Sequence, residues 1–587
     1  MKIKTSTGNK LLPTIFCLFT ILLAACGSSG GAQTAPKAEM APDNQQIAIL
    51  PLPGISDLDS FDPAKASDAN SITAIMMNFT GLVTLNDQNE VIPDLAQSYS
   101  VAHDGVTWTF KLRPNLKFSD GTPLTSADVA YSIDRALKPE LKSSVAPIYL
   151  NLLKDADKRA SGKISTLIGD SIKTPDPQTV VLITFQPAVY FLDTLTYNTA
   201  FVVEKSLIDK YTDSKFTDHL TEGGSAGPWK VEKYEHDHGV TFVPNPYYYG
   251  PKPQLKKVVM PFYKDSDTAY KDYQVGRISS AKVPPEQVQR ARSLPNGQYH
   301  NFDRLFIYFY KMNYLVKPFD NIKVRQAFAL ALDKDRIAHN VYKDAVTPTN
   351  HLVPKGMPGY YANLTGPDGT TSTKGNPEKA RQLLKEGLQE EGMSLASLPP
   401  LTLSVATRGR ADYRDEVAVV QQMWQSVLGV KVSIDDVDFN KLLNDSLAAM
   451  NNPKGLALWR LDWGADYPDP QDWLTLQFDK GSLDNDINYG QNNAANVAQQ
   501  VANQQLMEKA DGNANNEERM QQYHQAEQQL VNDVAWLPIY QEQSSIVYKP
   551  CLVGLPANYG GSSIDPFDWG HIHITTATPC ANTSNYQ

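Results

Sequence analysis

Hydrophobic and polar residues alternate with two different periods in a stretch near the start of the chain. Val106, Trp108 and Phe110 are separated by polar residues, which is the pattern of a strand with one buried face. Thr125 and Asp128 then have the spacing of a helix capping box, and apolar residues follow every three or four positions. This stretch therefore predicts a strand, a turn and a helix.

A helix followed by a strand is predicted most clearly at 414–437, which reads RDEVAVVQQMWQSVLGVKVSIDDV. One helical face is apolar and comprises Val420, Met423, Trp424, Val427 and Leu428. Gly429 suits the end of this helix. Alternating apolar residues then follow at Val430, Val432 and Ile434, as in a strand. With the strand-like LTLSVAT before it, the segment predicts a β-α-β crossover and an α/β fold with helices on the faces of a mixed sheet.

Two further helices are predicted from their caps and apolar faces. Asn376 can cap a helix at 376–390, in which Pro377 suits the first turn. A second helix is expected at 515–532, with Leu530 and Val531 facing inward.

The apolar run at 456–463 predicts a strand that ends directly in the sequence GADYPDP. Ligands of open α/β sheets bind in the crevice beyond the carboxyl ends of the strands. The stretch WRLDWGADYPDPQDWL at 459–474 crowds tryptophans and aspartates together, and it therefore lies where a binding site is expected.

The composition is that of a folded, acidic chain. Of its 587 residues, 41% are hydrophobic, and the formal net charge at pH 7 is -10. Several packed units are therefore expected rather than a disordered chain. No stripe of basic residues with interleaved aromatic residues is present, which argues against nucleic-acid binding. No second long apolar segment follows the N-terminal one, which argues against a membrane channel.

The N-terminus has the pattern of a secretory signal. Lysines precede the apolar run LLPTIFCLFTILLAA, which is short for a membrane span. The sequence LAACG at 23–27 resembles the lipobox of bacterial lipoproteins, in which the cysteine receives lipid and becomes the mature N-terminus. This resemblance implies a signal peptide at 1–25 and a lipid anchor on Cys26, with an ordinary cleaved signal or an uncleaved anchor as the alternatives. Residues 26–46 predict a flexible linker.

Blocks of sequence, in the same order, resemble the extracytoplasmic solute-binding proteins of ABC importers, in the cluster that takes peptides and nickel. The blocks are LDSFDPAKASDANS with GLVTLNDQNEVIPDLAQSYSV, then WTFKLRPNLKFSDGTPLTSADVAYS, then KPFDNIKVRQAFALALDKDRI, and finally WGADYPDP. The pattern is most like the oligopeptide-binding lipoproteins of this family and runs from about Ile47 to about Gly570. Residues 155–170 and the tail after Asp565 do not align.

The resemblance implies an α/β fold of the periplasmic-binding-protein kind, namely a type II, cluster C clamshell of two lobes with an extra small domain. The implied boundaries place lobe I at 47–75, 215–305 and 544–587 with the C-terminal tail, the small domain at 76–214, and lobe II at 306–543. The chain would cross between the lobes near Phe306 and near Gln543. Two crossing strands imply a hinge that closes the lobes over a ligand.

Cys551 and Cys580 lie in the returning tail that the resemblance implies. With Cys17 in the signal and Cys26 lipidated, they are the remaining cysteines. An oxidising compartment favours a disulfide between them, and two free thiols are the alternative.

The resemblance also implies residues for a binding site. Asp466, the aspartate of the Ala-Asp-Tyr triplet, would meet the ammonium of a peptide, and Arg460 would meet its carboxylate. The remaining implied contacts are the apolar walls Trp463 and Tyr467, the main-chain groups of Asp462 and Gly464, and the facing strand edge Ser67, Asp68 and Ala69.

Several residues of this stretch have a structural alternative. Asp466 could be a loop carboxylate, Arg460 part of an ion pair between strands, and Trp463 ordinary packing. Asp469 and Asp472 are predicted to be turn and helix-cap residues, because Asp-Pro and Pro-Gln-Asp-Trp favour a chain reversal into a helix.

Together these patterns predict a monomeric, non-enzymatic binding protein that captures peptides and delivers them to an ABC permease. It would be lipid-anchored at the extracytoplasmic face of the cell membrane or periplasmic. No cofactor and no metal are predicted, and no G-x-x-x-x-G-K-[ST] is present, so ATP hydrolysis would belong to separate subunits.

Two alternatives to a peptide-binding protein stay open. The same fold could bind a nickel complex or an oligosaccharide. A serine hydrolase is the more remote alternative, because Gly223, Ser225 and Gly227 form a G-x-S-x-G pattern. That motif needs a helix after it, whereas Pro228 and an extended segment follow here.

Overall fold

The computed structural model describes residues 38–482, 484–556 and 564–586. The predicted signal peptide, Cys26 and the linker up to residue 37 lie outside the described residues. The described helices and strands belong to the compact unit Glu39–Gln587. Within the described part of the chain, no helix combines the length and the apolar character that a membrane span requires.

The strands are β1 (Ile47–Ile49), β2 (Leu52–Pro53), β3 (Val83–Leu85), β4 (Val91–Pro93), β5 (Ala96–Val101), β6 (Thr107–Leu112), β7 (Ile172–Asp176), β8 (Thr179–Ile183), β9 (Trp229–Glu235), β10 (Gly239–Pro244), β11 (Lys257–Tyr263), β12 (Ser280–Lys282), β13 (Tyr299–Met312), β14 (Val346–Pro348), β15 (Leu401–Val405), β16 (Val432–Asp436), β17 (Leu458–Gly464), β18 (Leu537–Tyr548), β19 (Leu552–Val553) and β20 (His573–Ile574). The helices are α1 (Ala69–Asn78), α2 (Ser126–Ala136), α3 (Ala146–Tyr149), α4 (Ala156–Ala160), α5 (Phe191–Thr194), α6 (Lys205–Tyr211), α7 (Ser266–Gln274), α8 (Val288–Ala291), α9 (Ile322–Leu330), α10 (Lys334–Asn340), α11 (Pro377–Glu390), α12 (Ala411–Leu428), α13 (Phe439–Leu447), α14 (Thr475–Phe478), α15 (Val497–Asp511) and α16 (Asn516–Asp533).

The sheet of lobe I has the strand order β1, β11, β10, β9, and β2 also pairs with β11. β1 pairs with β11 in parallel, and β10 continues the sheet in antiparallel pairing. Successive side chains bury on opposite faces: Ala48 and Val258 pack on one face, and Ile47, Ile49 and Val259 pack on the other. The sheet is therefore covered on both sides.

The small domain is built around the antiparallel sheet β5, β6, β8, β7. Trp108 and Phe110 of β6 are buried in its core, which confirms the alternation read from the sequence. Thr125 and Asp128 form the predicted capping box at the start of α2, and the Thr125 N–H donates to the Asp128 carboxylate at 2.8 Å.

The sheet of lobe II has the strand order β12, β18, β13, β17, β15, β16, and β14 also pairs with β18. β15 and β16 precede and follow α12 in the sequence and pair with each other in parallel, which confirms the predicted β-α-β crossover. Gly429 ends α12 with a φ of 73°. Ile434, the last of the alternating apolar residues, is 40% exposed. The reason is that β16 lies last in the strand order, beyond the core that Val432 closes.

The helices predicted at 376–390 and 515–532 are also present, as α11 and α16. Asn376 caps α11 by accepting from the Lys379 N–H at 3.1 Å. Leu530 and Val531 of α16 are buried.

Two long strands, β13 and β18, pair side by side in the lobe II sheet, with β12 paired to β18 near one end and β17 paired to β13 near the other. Their register shifts between Asp303 and Ile307, which is a bulge that bends the ladder. The crossing points expected near Phe306 and Gln543 fall at this bulge. The domain boundaries themselves stay predictions.

The C-terminal tail returns to lobe I. Cys551 lies in the lobe I core and forms a disulfide with Cys580, with the two Cα atoms 5.4 Å apart. Beyond it, the Asn582 N–H donates to the carbonyl oxygen of Gly276 at 2.8 Å. The disulfide thus fixes the tail against the lobe.

Candidate ligand-binding site

The crowded stretch begins where β17 ends, at Gly464. A β-carbon at this position would lie 2.5 Å from the ring of Phe306 on the neighbouring strand β13. Only glycine, which has no β-carbon, therefore lets the Phe306 ring lie across the end of β17, next to the bulge between the lobes. The next residues turn away from the sheet toward the small domain.

A buried ion pair holds the turn after β17. Asp469 caps the short helix that follows it by accepting from the Gln471 N–H at 2.9 Å. Its carboxylate also pairs in two-pronged fashion with Arg519 of α16, at 2.6 and 2.7 Å. The predicted turn and cap role of Asp469 is therefore confirmed.

Asp472 fixes the upstream part of the loop from inside the protein. Its carboxylate accepts from the indole N–H of Trp463 and from the backbone N–H of Asp466, both at 3.2 Å. The side chain has no exposed surface, and burial, with the negative charge of Asp466, raises its pKa well above the usual range. Asp472 therefore acts as a buried acceptor that positions Asp466, which differs from the predicted helix cap.

The carboxylate of Asp466 lies between lobe II and the small domain. It accepts a hydrogen bond from the Tyr149 hydroxyl, and the Tyr149 ring stacks on Tyr197 with the centroids 3.6 Å apart. Burial raises the pKa of Asp466 to about 6. The hydrogen bond from Tyr149 opposes this rise, and the negative charge of Asp484 adds to it.

Asp68 approaches the same tyrosine pair from lobe I. It caps α1 by accepting from the N–H groups of Asn70 and Ser71, at 3.1 and 3.0 Å. Burial raises the pKa of Tyr197, and the negative charges of both Asp466 and Asp68 raise it further. The negative charges of the predicted residues Asp466 and Asp68 therefore both act on Tyr197. The strand edge expected at Ser67, Asp68 and Ala69 is not formed, because Ala69 is the first residue of α1; Ser67 and Ala69 are exposed.

Arg460 is placed differently from the expectation. Its guanidinium binds the Glu416 carboxylate of α12 at 2.8 to 3.1 Å, and it donates to the Tyr540 hydroxyl at 3.1 Å. The two charged side chains are 4% and 0% exposed. The structure therefore favours the alternative in which Arg460 forms an ion pair, although its partner Glu416 lies on a helix instead of a strand.

The other predicted contacts separate into exposed and packed groups. Tyr467 is 7% exposed and stacks on Tyr190 of the small domain at 6.1 Å, so it joins the two bodies by packing. Trp463 keeps part of its ring accessible. Burial raises the pKa of Asp462, and the positive charges of Arg460 and Arg408 oppose that rise.

The structure adds residues that sequence reasoning missed. Tyr149 and Tyr197 come from the small domain, and Asp484 comes from a later loop of lobe II. The signal was weak, because nothing in their local sequence relates them to residues 459–474.

Two alternatives can be compared with the geometry. Ser225 has no exposed surface, and β9 follows it instead of a helix, so the elbow of a serine hydrolase is not formed. Across the described ranges, no group of three or more His, Cys, Asp or Glu side chains could hold a metal ion.

Known proteins resemble the chain over most of its length. The model of bacterial extracellular solute-binding proteins, family 5, matches residues 90–485. The oligopeptide-binding protein OppA of Bacillus subtilis is 30% identical over 81% of this chain and 85% of its own length. The periplasmic oligopeptide-binding protein OppA of Salmonella typhimurium is 26% identical over 94% and 95%.

Solved structures show the same two-lobed fold. The unliganded open form of MppA, a periplasmic murein tripeptide binding protein, superposes with a TM-score of 0.76 at 23% identity, over 93% of this chain and all of the other. Haemophilus influenzae OppA in complex with RPPGFSPFR gives a TM-score of 0.66 at 21% identity, over 91% of this chain and all of the other. Proteins of the matching family bind solutes outside the cytoplasm. The chain belongs to the bacterial extracellular solute-binding proteins, family 5.

Proposed function

We propose that this protein is the peptide-binding component of an ABC importer, and that Asp466 binds the ammonium group at the start of the peptide. The observation behind this proposal is the position of the Asp466 carboxylate. It is partly buried where lobe II meets the small domain, and among the described residues no cation pairs with it. A carboxylate in such surroundings is stabilised by an incoming cation.

Features on both sides of the cleft support a peptide as the ligand. On lobe I, Ser67 is exposed and precedes Asp68, whose backbone is extended, and the end of β17 offers backbone on lobe II. Hydrogen bonds to such edges bind a peptide independently of its sequence. The partly accessible Trp463 then provides an apolar wall beside Asp466.

The relatives' names support peptides over a nickel complex or an oligosaccharide. They include oligopeptide-, dipeptide- and murein peptide-binding proteins. One of the similar structures holds the peptide RPPGFSPFR.

The remaining parts of the proposal concern the cellular setting. The mature chain would begin at a lipidated Cys26, stay monomeric, catalyse no reaction, and pass its ligand to permease subunits driven by separate ATPase subunits. Mass spectrometry of the membrane-extracted protein tests the anchor. We expect a diacylglycerol-modified N-terminal peptide that starts at Cys26 and is lost in Cys26→Ser; an unmodified N-terminus would contradict it.

Peptide binding is tested by calorimetry with Ala-Ala-Ala and its N-acetylated form, together with native mass spectrometry of protein purified from its own host. We expect the free peptide to bind and acetylation to weaken binding strongly. A co-purified sugar or metal complex, with no affinity for either peptide, would refute the proposed function.

A further inference from the structure

A cavity of about 240 Å³ lies at the carboxyl edge of the lobe I sheet, next to the bulge between the lobes. Its inner wall is apolar and includes Leu52, Met260 and Ile546. Its other lining groups are polar or cationic and include Ser280, Lys282 and Arg304. Ala69, exposed at the start of α1 beside the segment proposed to pair with a peptide, also lines it, so a side chain or chain end of a bound peptide can reach the cavity.

The cations of the cavity exceed its carboxylates. Lys282 and Arg304 both face Glu542, with N–O distances of 3.9 and 3.0 Å. One carboxylate thus faces two cations. Burial lowers the pKa of Lys282, and the negative charge of Glu542 opposes this effect. The positive charges of Arg304 and Arg410 lower the pKa further, so the guanidinium of Arg410 adds positive charge from lobe II.

The nearby aspartates are directed at their own helices. Asp68 accepts from the first N–H groups of α1, and Asp265 accepts from the Thr268 N–H of α7 at 2.7 Å. Arg410 has its own partner in Asp412, at 2.5 Å. These pairs leave Lys282 and Arg304, with one shared Glu542, as the cations that line the cavity.

Arg460 cannot supply a second charge to a ligand while it is bound to Glu416 in the core of lobe II. A peptide captured by its ammonium still brings a carboxylate at its other end, and often in its side chains. Burying that carboxylate without a cation would cost several kcal/mol.

We propose that the cavity binds a carboxylate of the captured peptide, through Lys282 and Arg304. The carboxylate comes from an acidic side chain, whose methylene stem would lie on the apolar wall, or from the C-terminus of a short peptide. This inference rests on the proposed function, because it assumes that a peptide lies along the segment just before α1. It gives the importer a preference for acidic peptides or for peptides of one length.

The test is calorimetry above pH 7, where Asp466 is ionised, with a set of matched tripeptides. Each position of Ala-Ala-Ala is replaced in turn by Glu and by Gln, and Ala-Ala-Ala is compared with its C-terminal amide. The parent protein is compared with Lys282→Met, which keeps the length of the side chain and removes its charge. Lys385→Met is the matched control, because Lys385 is exposed on α11 and does not line the cavity.

We expect one carboxylate to bind roughly tenfold more tightly than its amide counterpart in the parent, as for a charged hydrogen bond. Lys282→Met should reduce that ratio to about two or less, and Lys385→Met should leave it unchanged. A Glu-to-Gln effect identifies a side chain as the source, and an effect of C-terminal amidation identifies the chain end.

Two outcomes overturn the inference and differ from each other. If the neutral peptides bind but no carboxylate is preferred, or if the preference survives in Lys282→Met, the cavity is not a carboxylate site and peptide capture stands. If none of the tripeptides binds, the proposed function fails and the inference fails with it.

Discussion

The substitution Asp466→Asn separates the binding role of this carboxylate from any role in folding. It removes the negative charge and keeps the size of the side chain, so Tyr149 retains a hydrogen-bond acceptor. Loss of a desolvated ammonium–carboxylate pair costs about 2 to 5 kcal/mol of binding free energy, which is a loss of roughly thirtyfold or more in affinity for Ala-Ala-Ala. N-acetylated peptide should bind equally weakly to the parent and to the variant.

The pH dependence of binding follows from the raised pKa of Asp466. In the empty protein that pKa is about 6, and a bound ammonium lowers it by stabilising the ionised form. Affinity is therefore complete above about pH 7 and falls as the pH falls through 6, so that at about pH 5 it is roughly tenfold weaker. Asp466→Asn should remove this dependence.

Stability should change in the opposite direction. The folded pKa of about 6 exceeds the ordinary 3.8 of an aspartate. The contribution of Asp466 to folding stability is therefore fully present below about pH 4 and is lost as the pH rises to about 6. At pH 7 Asp466→Asn should therefore stabilise the empty protein, by up to about 2 to 3 kcal/mol. A variant that unfolds at higher urea and yet binds less peptide cannot be explained by misfolding.

The measurements are calorimetric titrations of Ala-Ala-Ala between about pH 5 and pH 8, and urea unfolding at pH 7 and near pH 4. Asp415→Asn is the control, because Asp415 is exposed on α12, and it should change neither quantity. Unchanged affinity in Asp466→Asn, together with a flat pH profile of the parent, would refute the ammonium assignment.

Three further predictions concern the framework of the site. Cys580→Ser should lower the free energy of unfolding by about 3 to 4 kcal/mol in the chain-entropy model, because the disulfide spans 29 residues; equal unfolding with and without reductant in the parent would contradict it. Arg460→Met should destabilise by about 3 to 5 kcal/mol, because it leaves Glu416 charged and buried, and adding Glu416→Gln should recover much of the loss. If Arg460→Met instead keeps its stability and loses affinity, Arg460 contacts ligand. Gly464→Ala should cost about 1 to 3 kcal/mol by pushing the Phe306 ring aside, and Phe306→Leu should relieve it in urea unfolding.

Local patterns in the sequence predicted much of the fold because they reflect interactions between near neighbours. The capping box of Thr125 and Asp128 joins residues three apart, and the end of α12 at Gly429 depends on a left-handed conformation that glycine adopts readily. Ile434 is exposed although it alternates with the buried Val432, because alternation shows which residues share a face, and not how far the covering layer extends.

The candidate site was predicted only in part, for a related reason. Asp469 could be read as a turn residue from the proline beside it, whereas its ion pair with Arg519 joins residues far apart in sequence. The Glu416 that binds Arg460 left a usable signal, since it is a charged residue four positions before Val420 on the apolar face of α12. A charge on such a face requires a buried partner.

The tyrosines Tyr149 and Tyr197 connect Asp466 of lobe II to the small domain. Lobe II brings Asp466, lobe I brings Asp68, and both negative charges act on Tyr197, which stacks on Tyr149 in the small domain. In the empty protein this arrangement keeps negative charge partly out of water, which raises the pKa of Asp466 and costs stability at neutral pH. The proposed ligand ammonium would relieve that cost by pairing with the carboxylate. In the proposed function, binding free energy would therefore be largest when lobe I and the small domain both contact lobe II, which would couple capture of a cationic chain end to closure of the lobes.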